Sequence, residues 1–240
     1  MKCAIMQPTY MPWAGYFNLM YQVEHFVFLD DVQFEKSSWQ NRNRILINGS
    51  PHWLTVPVLR QHLSDKIHDI KIDPKTTWRT KQMKLLQQEY RNASHVNEMV
   101  ELAEKATDVN ACFLSELNIG TLAECAAKLG LSKVKFYRAS QLGIEGGRSQ
   151  RLLNICKHLK CDEYVSPPGS REYIEADGVF AGQGDITLSY HEFVPLPYRQ
   201  IRSAEFVSHM SILDVIANLG WKETQKYISV FCKKMERPYV

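Results

Sequence analysis

Hydrophobic positions along this chain follow two periods, and the change from one to the other marks out its elements. The apolar run at 3–6 stops at Gln7-Pro8, as a buried strand does. Pro8 and Pro12 then keep the chain out of helix, since each lacks an amide hydrogen and pushes the residue before it toward extended geometry. From 14 to 24, Tyr16, Phe17, Leu19, Met20 and Val23 recur at helical spacing. A second apolar run, 26–29, ends on Asp30 and Asp31. Strand, loop, helix and strand predict a βαβ unit, in which ligands bind beyond the carboxyl ends of the strands. Those ends carry Gln7, Tyr10 and Trp13, with Tyr16 just behind them, and Asp30, Asp31 and Gln33. They are the first candidate site residues.

Further along, apolar runs at 44–47 and 52–58 flank Asn48-Gly49 and predict a β-hairpin. Alternation of Ile67, Ile70 and Ile72 with charge predicts a strand over 66–72. Helical spacing covers 76–90, 94–106 and 110–129. Strands are expected at 133–138, 163–165 and 186–190, with a helix over 150–159 opened by a glycine-rich turn. Helices at 209–220, closed by Gly220, and at 221–234 end the chain. Alternating strands and helices predict an α/β fold: a mostly parallel, Rossmann-like sheet flanked by helices. Residues 32–75 form a small antiparallel β insertion over the strand ends. No repeat or linker divides the chain, so 1–240 is expected to be a single α/β domain carrying that hairpin insertion.

Composition narrows the function classes. The 240 residues are 45% hydrophobic and 23% charged, ordinary for a globular protein. A net charge of +3, dispersed rather than joined into a stripe, argues against nucleic acid. No apolar run approaches the length of a membrane span. The chain opens on a strand rather than a leader, which places it in the cytoplasm. The six cysteines contain no Cys-x-x-Cys pair and read as buried small hydrophobes in a reducing compartment, with no metal expected.

Candidate chemistry lies in four places. Asp30 and Asp31 at a strand end suit an ammonium ligand or general-base work, with Asp31 the better placed; the alternative is a cap and a solvated acid. Lys36, Arg42 and Arg44, interleaved with Trp39, Gln40, Asn41 and Asn43, supply phosphate donors and an aromatic face for a base or sugar. Ser170 and Arg171 follow a strand and a Pro-Pro-Gly turn, where backbone amides can receive an anion. His191 is the histidine kept for acid–base work, against a purely structural role. Tyr198 and Gln200 either complete a polar wall or cover the sheet edge. The Walker loop, Gly-x-Gly-x-x-Gly, His-Glu-x-x-His and Gly-x-Ser-x-Gly signatures are all absent.

Several of these segments resemble the WbqC-like family. They are Gln7-Pro8-Thr9-Tyr10-Met11-Pro12-Trp13-Ala14-Gly15-Tyr16-Phe17, Phe28-Leu29-Asp30-Asp31-Val32-Gln33-Phe34 and Trp39-Gln40-Asn41-Arg42-Asn43. Trp53-Leu54-Thr55-Val56-Pro57-Val58, the Tyr198 and Gln200 pair and Ser211-Ile212-Leu213-Asp214 are similar as well. The resemblance implies a bacterial cytoplasmic protein associated with O-antigen and other surface-polysaccharide gene clusters. A looser likeness, to nucleotidyltransferase-like proteins and acid–amine ligases, lacks their His-x-Gly-His signature, with Pro12-Trp13-Ala14-Gly15-Tyr16 in its place. Together these imply an enzyme modifying a nucleotide-linked amino sugar, an amide-forming transferase or ATP-dependent ligase. Its partners would be small molecules: ATP or a nucleotide sugar, and an amino acid or other acyl donor. The alternative is a non-catalytic sugar- or nucleotide-binding protein of polysaccharide assembly. Asp31, Lys36 and His191 would act in catalysis. Binding would fall to Gln7, Tyr10, Trp13, Tyr16, Asp30, Gln33, Trp39, Arg42, Asn43, Arg44, Ser170, Arg171, Tyr198 and Gln200.

Overall fold

The computed structural model describes residues 1–182 and 184–230. The last four positions of the helix expected at 221–234, and Cys232, lie outside them. Five strands form one parallel sheet: β1 (Lys2–Met6), β2 (His25–Phe28), β7 (Lys135–Arg138), β8 (Glu163–Ser166) and β9 (Thr187–Tyr190). Their order across the sheet is β7-β2-β1-β8-β9. In chain order this is 3-2-1-4-5, the doubly wound arrangement, with its switch point between β1 and β8.

Side chains alternate across β1 and β2 as a sheet buried on both faces requires. Cys3, Ile5 and Val27 join a core with α6 (Arg148–His158) and α7 (Arg171–Asp177). Ala4, Phe26 and Phe28 point the other way, into a larger core with α1 (Ala14–Tyr21), α3 (Val96–Ala106), α4 (Leu114–Lys128) and α8 (Ile212–Ser229). The remaining α-helices among the described residues are α2 (Trp78–Glu89) and the four-residue α5 (Ala139–Leu142). No helix among the described residues is long and apolar enough to cross a membrane.

The insertion carries β3 (Arg42–Ile47), β4 (Ser50–Thr55), β5 (Val58–Leu59) and β6 (Lys71–Ile72), paired antiparallel as β3–β4 and β5–β6. Asn48 and Gly49 both take positive φ, so they build the mirror-image turn that a two-residue hairpin favours. The strand expected over 66–72 is shorter than its alternation suggested. Ile67–Asp69 is a 3-10 turn, Lys71–Ile72 forms a two-residue strand, and Lys66 makes an isolated bridge with Gln33. Ile67 and Ile70 are three apart, the repeat of a 3-10 turn, and both are buried by it. At the chain's end, Gly220 (φ +73°) breaks α8 where the glycine stop was expected.

Candidate functional site

The loop between β1 and α1 is fixed almost carbonyl by carbonyl, which explains how a proline-broken segment can be rigid. Tyr16 Oη donates to Gln7 O at 3.0 Å and Asn118 Nδ2 to Pro8 O at 3.2 Å. Asn43 Nδ2 donates to Tyr10 O at 3.0 Å and Ser211 Oγ to Met11 O at 2.8 Å. The amide of Ile212 donates to Pro12 O at 2.8 Å. Met11 is held at φ +43°, a left-handed conformation that an unbranched side chain tolerates only under such restraint.

Two adjoining lobes open beside this loop. The first, about 420 Å³, lies at the carboxyl ends of β1 and β8, where the doubly wound sheet leaves its crevice. Its walls include Gln7, Tyr16, Gln40, Ser170, Tyr173 and His191, and none of its described lining residues is Lys or Arg. The second, about 350 Å³, is lined by Asn43, Arg44 and His209 among others. Met6, Thr9, Trp13, Tyr16 and Trp39 line both. The Trp13 ring, which lines both lobes, meets that of His209 with centroids 4.5 Å apart and planes tilted by 36°. Gly15 lies under the Trp13 indole, and a Cβ there would run into the ring.

Polar groups in the cleft are oriented from behind. The Glu35 amide donates to Gln40 Oε1 at 3.0 Å, so Gln40 Nε2 donates to Gln7 Oε1 at 2.8 Å. That leaves the Gln7 amide nitrogen, which has no partner among the described residues, for a ligand. Asn18 Nδ2 donates to the carbonyls of Ile228 and Val230, at 2.6 and 3.2 Å, so its Oδ1 must accept. The His191 Nε2 contact to that Oδ1, at 2.7 Å, therefore places the ring hydrogen on Nε2 and the free lone pair on Nδ1. Burial pushes the His191 pKa down to about 4, so the ring is neutral at physiological pH. Burial and the nearby Arg44 cation likewise lower that of His209. Thr9 is nine-tenths buried, and its hydroxyl, like Arg44 Nε, has no hydrogen-bond partner among the described residues.

Of the expected site residues, the cleft gathers Gln7, Trp13, Tyr16, Trp39, Asn43, Arg44, Ser170 and His191. The two acids lie elsewhere. Asp30 is fully buried and accepts from the Ser140 amide at 2.9 Å and from Ser140 Oγ at 2.8 Å, which caps α5. Asp31 is held by the Arg151 guanidinium through both of its oxygens, one at 2.9 Å. Tyr10 is in the core with its hydroxyl on Gln82 Oε1 at 2.8 Å. Tyr198 and Gln200 donate to the buried carboxylate of Asp214, at 2.5 and 2.8 Å, as does Tyr90 at 2.8 Å. Lys36 and Gln33 are exposed outside both lobes, and Arg171 lies over the Tyr190 ring at 4.2 Å. Arg42 stacks on Trp53 just beyond the cleft, at 4.1 Å. Sequence reasoning missed Asn18, Asn118, Arg151 and Asp214. For Asn18, Asn118 and Asp214 the available signal was an amide or carboxylate at a buried helical position, which demands a polar partner, whereas nothing local marks Arg151 as the partner of Asp31.

Comparison with known proteins adds a lineage. The sequence model of the WbqC-like protein family matches residues 7–226. The chain is 32% identical over 236 residues to "Uncharacterized protein Rv1507c" of Mycobacterium tuberculosis (strain ATCC 25618 / H37Rv). That similarity covers 97% of this chain and 99% of the relative. No solved structure matches.

Proposed function

The chain belongs to the WbqC-like protein family, and on that premise we propose that it is a cytoplasmic surface-polysaccharide biosynthetic enzyme that acylates a nucleotide-linked amino sugar. The observation that carries this reading is the division of the cleft by charge. A lobe without Lys or Arg, walled by aromatic and amide groups and bordered by Glu35, suits a sugar ring, and the adjoining lobe offers the Arg44 guanidinium to phosphates. Gln7 Nε2 and the Thr9 hydroxyl are donors available to sugar oxygens.

Amide formation needs an acyl donor whose carboxyl group is activated as a thioester or acyl phosphate; in the ligase form ATP supplies the activation. The sugar amine forms the new C–N bond at the acyl carbon, and the bond to the leaving group breaks with its electron pair. His191 Nδ1 takes the proton from nitrogen and returns it to the leaving group. A base with a pKa of about 4 is weak. It therefore acts after addition, when the nitrogen has become cationic and acidic.

The test is thermal-shift titration with nucleotide sugars, ATP and amino acids, followed by mass spectrometry of the products. A rise in melting temperature with a nucleotide sugar is expected, and no shift with any of them would overturn the proposal. The engagement of Asp30 with Ser140 and of Asp31 with Arg151 favours a second reading, a non-catalytic binder. His191→Gln separates the two: an enzyme loses turnover while retaining ligand affinity, and a binder has no turnover to lose.

A further inference from the structure

The outer face of the β3–β4 hairpin carries guanidinium and indole groups in alternation. Along β3, Asn43 and Ile45 are buried, so Arg42 and Arg44 face outward, and the strand register sets Trp53 opposite Arg44. The Arg42 guanidinium lies 4.1 Å above the Trp53 ring. Trp53 and Trp39 meet with centroids 5.1 Å apart at 49°, and Arg44 stands 5.4 Å from the Trp39 ring.

Two facts make this row more than a packed hairpin. Trp39 and Trp53 stay 46% and 45% exposed despite the groups beside them. The Nε atoms of both arginines are buried with no hydrogen-bond partner among the described residues. The row also starts where the cleft ends, because Trp39 and Arg44 line the cleft while Trp53 and Arg42 do not.

We infer that Trp53, backed by Arg42, is the platform on which the base of a nucleoside diphosphate stacks, its phosphates lying on Arg44. This rests on the nucleotide-sugar reading above. A lobe free of Lys and Arg, then the Arg44 cation, then an exposed indole follow one another in the order sugar, phosphate and base of such a ligand. An indole supplies a sequence-tolerant stacking face, and a guanidinium behind it adds a cation–π contact. The added specificity is for nucleoside diphosphates over sugar phosphates that lack a base.

Calorimetric titration of the full chain with common nucleoside diphosphates, and with pyrophosphate as the base-free probe, tests this. Wild type is expected to bind at least one nucleoside diphosphate more tightly than pyrophosphate. Trp53→Ala should weaken that nucleotide about tenfold and leave pyrophosphate unchanged, while Trp53→Phe keeps most of the affinity. Nucleotide affinity unchanged in Trp53→Ala overturns the platform and leaves the cleft reading standing. Equal loss for both probes overturns it too, since Trp53 would then only support Arg44. If wild type binds neither probe, both readings fail.

Discussion

A carboxylate engaged through both oxygens by a guanidinium offers little to a substrate proton, and Asp31 is in that state with Arg151. Both side chains are largely shielded, at 11% and 17% exposed, so the pair carries more weight than a surface ion pair. Asp31→Asn and Arg151→Gln are each expected to cost about 2 kcal/mol in urea unfolding. The double variant should be little worse than either single one, and turnover should survive. Loss of turnover at unchanged stability would instead make Asp31 catalytic. His191 links to pH with a definite sign. Its folded-state pKa of about 4 lies below the ordinary 6.5, so the unfolded chain binds more protons between those values. Its contribution is therefore complete above pH 6.5 and is lost as pH falls toward 4, by about 3 kcal/mol at most. His191→Gln should flatten this part of the stability–pH curve, and an unchanged curve would assign the dependence to another group.

Between elements, one buried polar junction centres on the Asp214 carboxylate at the start of α8. It accepts from Tyr90 after α2 and from Tyr198 and Gln200 in the proline-rich segment. Tyr90 Oη in turn accepts from the Leu46 amide in β3 at 3.1 Å. Burial raises the Asp214 pKa, and the three donors oppose that rise. Asp214→Ala leaves three buried donors without their acceptor, so a loss of about 3 kcal/mol or more is expected in chemical denaturation. Asp214→Asn should cost less, and a neutral Asp214→Ala would show that water replaces the carboxylate. The elements at this junction were legible one at a time. Asn48-Gly49 specifies its own hairpin turn, and Gly220 its own helix break. The partners were not, because Tyr90 and Asp214 are 124 positions apart and no local pattern pairs them. The twin acids show the same limit: their place at a strand end was readable, but Ser140 and Arg151, which claim them, lie 110 and 120 positions away.

For the molecule as a whole, the first βαβ unit pointed to the carboxyl end of the sheet, where the cleft lies, but to the wrong side of β1, since the crevice opens toward β8 and not toward β2 and its two acids. It could not say which side chains enter. That depends on the insertion folding back over β1 and on the 192–211 segment closing from the far side. Ser211 illustrates the closure: its amide donates to Arg44 O and its hydroxyl to Met11 O, both at 2.8 Å. A ligand bridging the two lobes must therefore touch walls contributed by four separate stretches of chain. Hydrogen exchange read by mass spectrometry, with a saturating nucleoside diphosphate, should show slower exchange together in peptides covering 7–17, 38–45, 166–173 and 205–213. A mixed-charge depression between α3 and α4, lined by Glu101, Lys105, Asp108 and Lys128, supplies the contrast. Protection centred there, with the four cleft peptides unchanged, would move the binding site to the helical face. Protection of the 38–45 peptide alone would reduce the ligand's footprint to the outer hairpin, leaving the crevice between β1 and β8 without a part in binding.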